Sequence, residues 1–178
     1  SAVSASAREK LAGLDKPLIA MIQGFCLGGG LGIALNADIR IASENAQLGI
    51  PAARLGIAYG YESLKLLVDL VGPSHAKEIL FSARRLSAAE ALHIGLVNRV
   101  VPAGELEDAV CEVAAKIASN APLSVKASKR TIGEILKDPS DRDLDGIAEF
   151  AKTCFDSQDY TEGRTAFMEK REPKFIGR

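Results

Sequence analysis

Tryptophan is absent from the 178 residues, and only 5% of them are aromatic. A chain so poor in rings has few platforms on which bases or sugars can stack. An excess of charge of one sign is also missing. Twenty-two Lys and Arg face 23 Asp and Glu, for a net charge of −1. Nucleic-acid binders and membrane-surface proteins ordinarily carry a basic excess, so neither partner is expected. Cysteine is scarce and odd in number: Cys26, Cys111 and Cys154, with no C-x-x-C spacing. That excludes a disulfide framework or a zinc ribbon and fits a reducing, cytoplasmic compartment. His75 and His93 have no Cys or Asp at ligand spacing, so no metal is expected. A basic patch followed by an apolar run is missing from the first residues, so no signal peptide is expected.

What is present is ordinary for a folded domain: 47% apolar and 25% charged residues, in a length that suits about one domain of roughly 100–200 residues. One run, Pro17 to Leu35, is apolar apart from Gln23 and approaches the ~20 residues of a membrane helix. Gly24, Gly28, Gly29, Gly30 and Gly32 crowd into it, and each costs a helix interior up to about 1 kcal/mol relative to Ala. The run therefore reads as a buried strand, a glycine turn and a helix, and not as a membrane span.

Residues 1–13 read as the end of a helix stopped by Gly13. A strand is expected over 18–23, a loop over Gly24 to Gly30, and a helix from near Gly29 to Asn36. Asp38 to Ala42 alternates as a strand, and Ala46 to Gly49 can pair with it across Ser43-Glu44-Asn45. Pro51 to Arg54 is at most one helical turn. A helix over Tyr61 to Val71 places Leu64, Leu67, Val68 and Val71 on one face. Gly72-Pro73-Ser74 opens another, running through Phe81. Ser87-Ala88-Ala89-Glu90 is a capping box that starts a short helix ended by Gly95. A strand over Leu96 to Val101 closes at Pro102. Helices near 105–119, 122–137, 141–155 and 159–170 follow. The class is α/β with a helical C-terminal region.

The informative segment is Gly24 to Gly32, a strand leading into three glycines that open a helix. This arrangement bares backbone N–H groups where the helix dipole favours negative charge. The dinucleotide pattern G-x-G-x-x-G fails at Ile33, and no G-K-[ST] follows, so a phosphate loop is not expected. By itself the run fits either an oxyanion site or tight packing of a helix on its strand. Among the polar residues, Asp38 reads as a local backbone partner, Arg54 as a partner for a substrate or neighbouring carboxylate, and Arg84-Arg85 as solvated surface. Cys26 is either a thiolate activated at the helix start or, the stronger reading, a buried inert thiol.

The stretch Ile19 to Gly30, with Leu35-Asn36-Ala37-Asp38-Ile39 and Ala46-Gln47-Leu48-Gly49-Ile50-Pro51, resembles the signature of the enoyl-CoA hydratase/isomerase (crotonase) superfamily. The resemblance continues through Gly95-Leu96-Val97 and Val101-Pro102 to Asp159-Tyr160-Thr161-Glu162-Gly163 and Ala166 to Arg171. It implies a ββα spiral core, seen here as its later part over 1–102, and a helical trimerisation region over 103–178. It also implies an acyl-CoA substrate of fatty-acid metabolism, with coenzyme A part of that substrate and no separate cofactor, and a homotrimer or dimer of trimers. An oxyanion hole would grip the thioester oxygen, with the Gly29 N–H as one donor. Cys26, Leu27, Gly28, Gly30, Gly32, Pro51 and Ala52 would line the substrate site, and Phe167 and Lys170 match positions that contact CoA bound to a neighbouring subunit.

The sequence departs from the family's hydratases where they carry two glutamates, because those positions are Gly32 and Ala52. Hydration needs acid–base groups to activate water and protonate carbon, so a lyase or isomerase reaction other than ordinary hydration is expected. Tyr59, Tyr61 and Glu62 fall where the family faces the acyl group, and Tyr59 resembles the tyrosine of methylmalonyl-CoA decarboxylase. Tyr59 and Glu62 are the candidate catalytic side chains. The alternatives are a decarboxylase using Tyr59 and a non-catalytic CoA-binding scaffold. Against the family the chain begins late, by roughly 80 residues on domain-size reasoning. It is therefore expected to be a portion of a longer protein whose upstream part supplies the first oxyanion donor.

Overall fold

The computed structural model describes residues 10, 11 and 13–178. The helical end expected over 1–13 lies mostly outside them. The described residues form two compact units, one comprising Leu18–Cys111 and the residues up to Leu14, the other Asp15–Pro17 with Glu112–Arg178.

In the first unit the apolar run from Pro17 folds as β1 (Ile19–Ile22), β2 (Phe25–Leu27) and α1 (Gly29–Ala34). A second round follows as β3 (Ile39–Ser43), β4 (Gln47–Gly49), a 3₁₀ turn (Pro51–Leu55) and α2 (Tyr61–Ser82). After these come β5 (Leu86–Ser87), α3 (Ala88–His93) and β6 (Arg99–Val101). Strands from successive rounds stack: β1, β3 and β6 make one parallel sheet, while β2, β4 and β5 make a second, mixed one in which β5 runs antiparallel to β4. This is the expected strand–strand–helix spiral.

Four local expectations are corrected. The loop expected over Gly24 to Gly30 contains β2. Gly24, at φ 65°, turns the chain so that Phe25, Cys26 and Leu27 pair in parallel with Gln47, Leu48 and Gly49. For the same reason β4 pairs with β2 and, antiparallel, with β5, and not across a hairpin with β3. The last strand starts at Arg99 and not at Leu96, because the amides of Leu96 and Val97 turn back to the Ala91 carbonyl. The two helices expected on either side of Gly72 run together as α2 with a kink at Gly72 (φ 74°), and Val68 faces outward while Leu67 and Val71 are buried.

Leu31, Leu48, Leu67 and Leu96 are fully buried in one apolar cluster with Ala42 and Ala91. Each such leucine contributes about 1.5–3 kcal/mol by leaving water. Arg40 stitches β3 to the α3–β6 connection. Only 2% exposed, it donates from Nε to the Leu96 carbonyl (2.9 Å) and from Nη1 to the Ala37 carbonyl (2.6 Å). Ser87 and Glu90 form the expected reciprocal cap on α3.

The chain continues as α4 (Leu106–Ala118), α5 (Pro122–Ile135), α6 (Leu144–Phe155) and α7 (Gln158–Glu169). In the second unit, α6 and α7 start on side-chain caps, Asp143 accepting the Gly146 amide and Ser157 the Tyr160 amide. No described helix is long and apolar enough to cross a membrane.

Candidate functional site

The glycine turn is built by sheet pairing. β2 ends against Gly49, and the Gly28 amide donates to the Gly49 carbonyl at 2.8 Å. Gly28 adopts φ 52°, ψ −114°, a conformation for which glycine is suited because it has no Cβ to clash. The chain then enters α1, whose cap supplies no side-chain hydrogen bond and whose first turn carries no acidic residue. First-turn amides lack an intrahelical acceptor. Those of Gly29 and Gly30 are therefore bare, and beyond the chain neighbours and the helix's own backbone no heavy atom lies within 4 Å of where a Cβ would sit on Gly29, Gly30 or Gly32. A ligand oxygen can approach this backbone without displacing a side chain.

The same pairing brings the second segment to the turn. Two and three residues beyond Gly49 stand Pro51, half-buried, and Ala52, buried. The Ala52 carbonyl accepts the Ile57 amide at 3.0 Å, closing the 3₁₀ turn and leading the chain through Gly56 (φ 63°) to Tyr59. Tyr59 packs on the core cluster, and its hydroxyl lies 3.8 Å from where a Cβ on Gly28 would be. The structure thus brings the Tyr59 hydroxyl to Gly28 and sets Gly49, two residues before Pro51, against the same turn. Glu62 is placed differently, in the exposed first turn of α2, beside a Tyr61 that is 69% exposed.

Cys26 is buried in β2, and burial pushes its thiol pKa up. That is the inert thiol and not an activated thiolate, so any contribution from position 26 is through backbone. Leu27 is half-buried against Gly49. Phe167 and Lys170 belong to the second unit. Phe167 is 82% exposed, and Lys170 ends α7 in the left-handed region at φ 55°. Among the described residues no group of three or more His, Cys, Asp or Glu is placed to hold a metal ion. His75 instead faces Glu78 at 3.8 Å.

Sequence reasoning assigned no role to Asp159, which proves to be a nearly inaccessible carboxylate in α7. The motif Asp159-Tyr160-Thr161-Glu162-Gly163 flagged the segment but not what the carboxylate grips.

The sequence model described as Enoyl-CoA hydratase/isomerase matches residues 4–178. A short-chain-enoyl-CoA hydratase of Clostridium acetobutylicum is 46% identical over 89% of this chain and 61% of its own length. A crotonyl-CoA hydratase of Syntrophomonas wolfei is 42% identical over 93% of this chain and 64% of its own. The chain thus spans a little over three-fifths of these relatives. An enoyl-CoA hydratase/isomerase family protein from Hyphomonas neptunium superposes with a TM-score of 0.91 at 36% identity, covering 98% of this chain and 66% of that one.

Proposed function

The chain belongs to the enoyl-CoA hydratase/isomerase family, and from that premise we propose that it acts on an acyl-CoA thioester by stabilising its enolate. The observation that carries the reading is the open Gly28–Gly30 turn with the Tyr59 hydroxyl beside it. The Gly29 N–H takes the thioester oxygen, and a donor of this kind typically contributes about 3–4 kcal/mol to the transition state. Gly32 and Ala52 carry no titratable group, so proton transfer passes to Tyr59, with Glu62 as the alternative acid. In a decarboxylation, the bond from the α-carbon to the carboxylate breaks and carbon dioxide leaves. The electron pair enters the thioester as an enolate, and a proton from Tyr59 or water then reaches the α-carbon.

A second reading, hydration with relocated acids, is favoured by the relatives named as hydratases at 42–46% identity. Both readings place a cytoplasmic enzyme in a homotrimer or dimer of trimers. Exposed apolar side chains in the second unit, among them Ile132, Ile135, Leu136 and Leu144, support that assembly.

The test incubates the full chain with crotonyl-CoA, methylmalonyl-CoA and malonyl-CoA and follows each by mass. Loss of carbon dioxide supports the decarboxylase. Gain of water that is abolished by Tyr59→Phe or by Glu62→Gln supports relocated hydration. Coenzyme A binding without turnover of any thioester overturns the enzymatic reading in favour of a scaffold.

A further inference from the structure

The chain's last residues form neither helix nor strand, yet they are held along α7. Asp159, in the first turn of α7 and 2% exposed, gives one carboxylate oxygen to each of two backbone amides, Ile176 at 2.7 Å and Gly177 at 2.8 Å. Its own amide donates to the Arg178 carbonyl at 3.3 Å. One turn further, Glu162 accepts the Lys174 amide at 2.8 Å and the Arg171 guanidinium at 2.6 and 2.9 Å. The Phe175 ring stands 3.5 Å from where a Cβ on Gly163 would lie. Positions 159, 162 and 163 share one helix face, so the tail doubles back down that face.

The turn that starts this return is Lys170. It holds a left-handed conformation that residues other than glycine keep only where their surroundings impose it. The imposing contacts are on either side of it: the Arg171 amide bonds the Ala166 carbonyl at 3.0 Å, and the Arg171 side chain bridges Glu162 and Glu169. Glu162 holds both the Lys174 amide and the Arg171 guanidinium, and so joins the far part of the tail to the Lys170 turn.

We propose that Asp159 is a positioning residue, which clasps the Ile176 and Gly177 amides and so fixes the Phe167–Lys170 turn in the geometry that contacts CoA. The CoA clause rests on the function proposed above and on the CoA contacts that the family resemblance implies for Phe167 and Lys170; the clasp does not.

The test compares the full ¹⁵N-labelled chain with its Asp159→Asn variant, in which one acceptor oxygen becomes a donor facing an amide. Exchange of the Ile176, Gly177 and Arg171 amides is expected to accelerate about tenfold or more, and Kd for coenzyme A to rise about tenfold, the ratio for one lost charge-assisted hydrogen bond. Turnover at saturation should change little. If that variant does not fold, a chain ending at Lys174 removes the clasped amides while leaving α7 whole, with the same expectation for Arg171 and coenzyme A. Unchanged Arg171 exchange in a variant whose tail amides are freed overturns the proposal, as does unchanged coenzyme A affinity. A wild-type chain that does not bind coenzyme A overturns the functional reading and the CoA clause together, and the Arg171 exchange then judges the clasp alone.

Discussion

The hydroxyl of Tyr59 reaches to 3.8 Å from the point where Gly28 would carry a Cβ, although 31 positions separate the two residues. The ring is anchored on the apolar cluster, which leaves the hydroxyl at the mouth of the glycine turn. It makes no hydrogen bond to a described residue, so removing it leaves no protein partner stranded. Tyr59→Phe is accordingly expected to leave the melting temperature and coenzyme A affinity near wild type. It should lower kcat on the turned-over thioester by about 10²–10³, the usual weight of a positioned proton donor. Undiminished kcat would remove Tyr59 from the chemistry.

Two neighbouring glycines should respond in opposite ways. Gly28 sits at φ 52°, ψ −114°, and forcing a side chain there costs on the order of 1–3 kcal/mol. Gly30 is helical, with open space at its Cβ, so alanine there gains up to about 1 kcal/mol of helix propensity. Urea unfolding should show Gly28→Ala destabilised and Gly30→Ala equal or better. Activity should fall in both, in the second because a methyl group then stands where the ligand approaches the backbone. A stable and fully active Gly30→Ala would show that the open face is not used.

The glycine turn was legible in sequence because a run of glycines interrupting an apolar stretch has few structural solutions. Strand β2 was not, since Phe25-Cys26-Leu27 lies between glycines and shows no alternation; it is a strand only because β4 arrives beside it from the next round of the spiral. The cap at Ser87 and Glu90 involves neighbours in sequence and was readable for that reason. Asp159 grips amides 17 and 18 residues away, and a backbone amide has no sequence signature.

The Ser87–Glu90 cap predicts a pH dependence with a definite sign. Hydrogen bonding from the Ser87 amide, then from the Arg84 guanidinium and the Ser87 hydroxyl, lowers the Glu90 carboxyl from 4.5 to about 2. The folded pKa lies below the unfolded one, so the stabilisation is present above about pH 4.5 and is lost as pH falls towards 2. Melting temperature plotted between pH 6 and 2, values chosen to bracket this window, should fall more steeply for wild type than for Glu90→Gln. Parallel curves would mean that the carboxylate contributes nothing to folding.

Arg40 tests whether the spiral depends on a buried cation as a stitch. Its guanidinium serves two carbonyls, Leu96 at 2.9 Å and Ala37 at 2.6 Å, while its backbone exchanges hydrogen bonds with Asn98 at 2.8 Å. Burial lowers its pKa, with the charge of Asp38 opposing that shift. Methionine matches the apolar stem but supplies no donor, so both carbonyls lose a partner, at about 1–3 kcal/mol for each group left unsatisfied. Lysine keeps a charge, but its single ammonium lacks the fork that spans two acceptors. Urea unfolding should therefore rank wild type above Arg40→Lys and Arg40→Lys above Arg40→Met, with the last lower by roughly 3 kcal/mol. If Arg40→Met unfolds within about 0.5 kcal/mol of wild type, the size of an ordinary surface substitution, packing of β3 alone holds the α3–β6 connection and the stitch is dispensable.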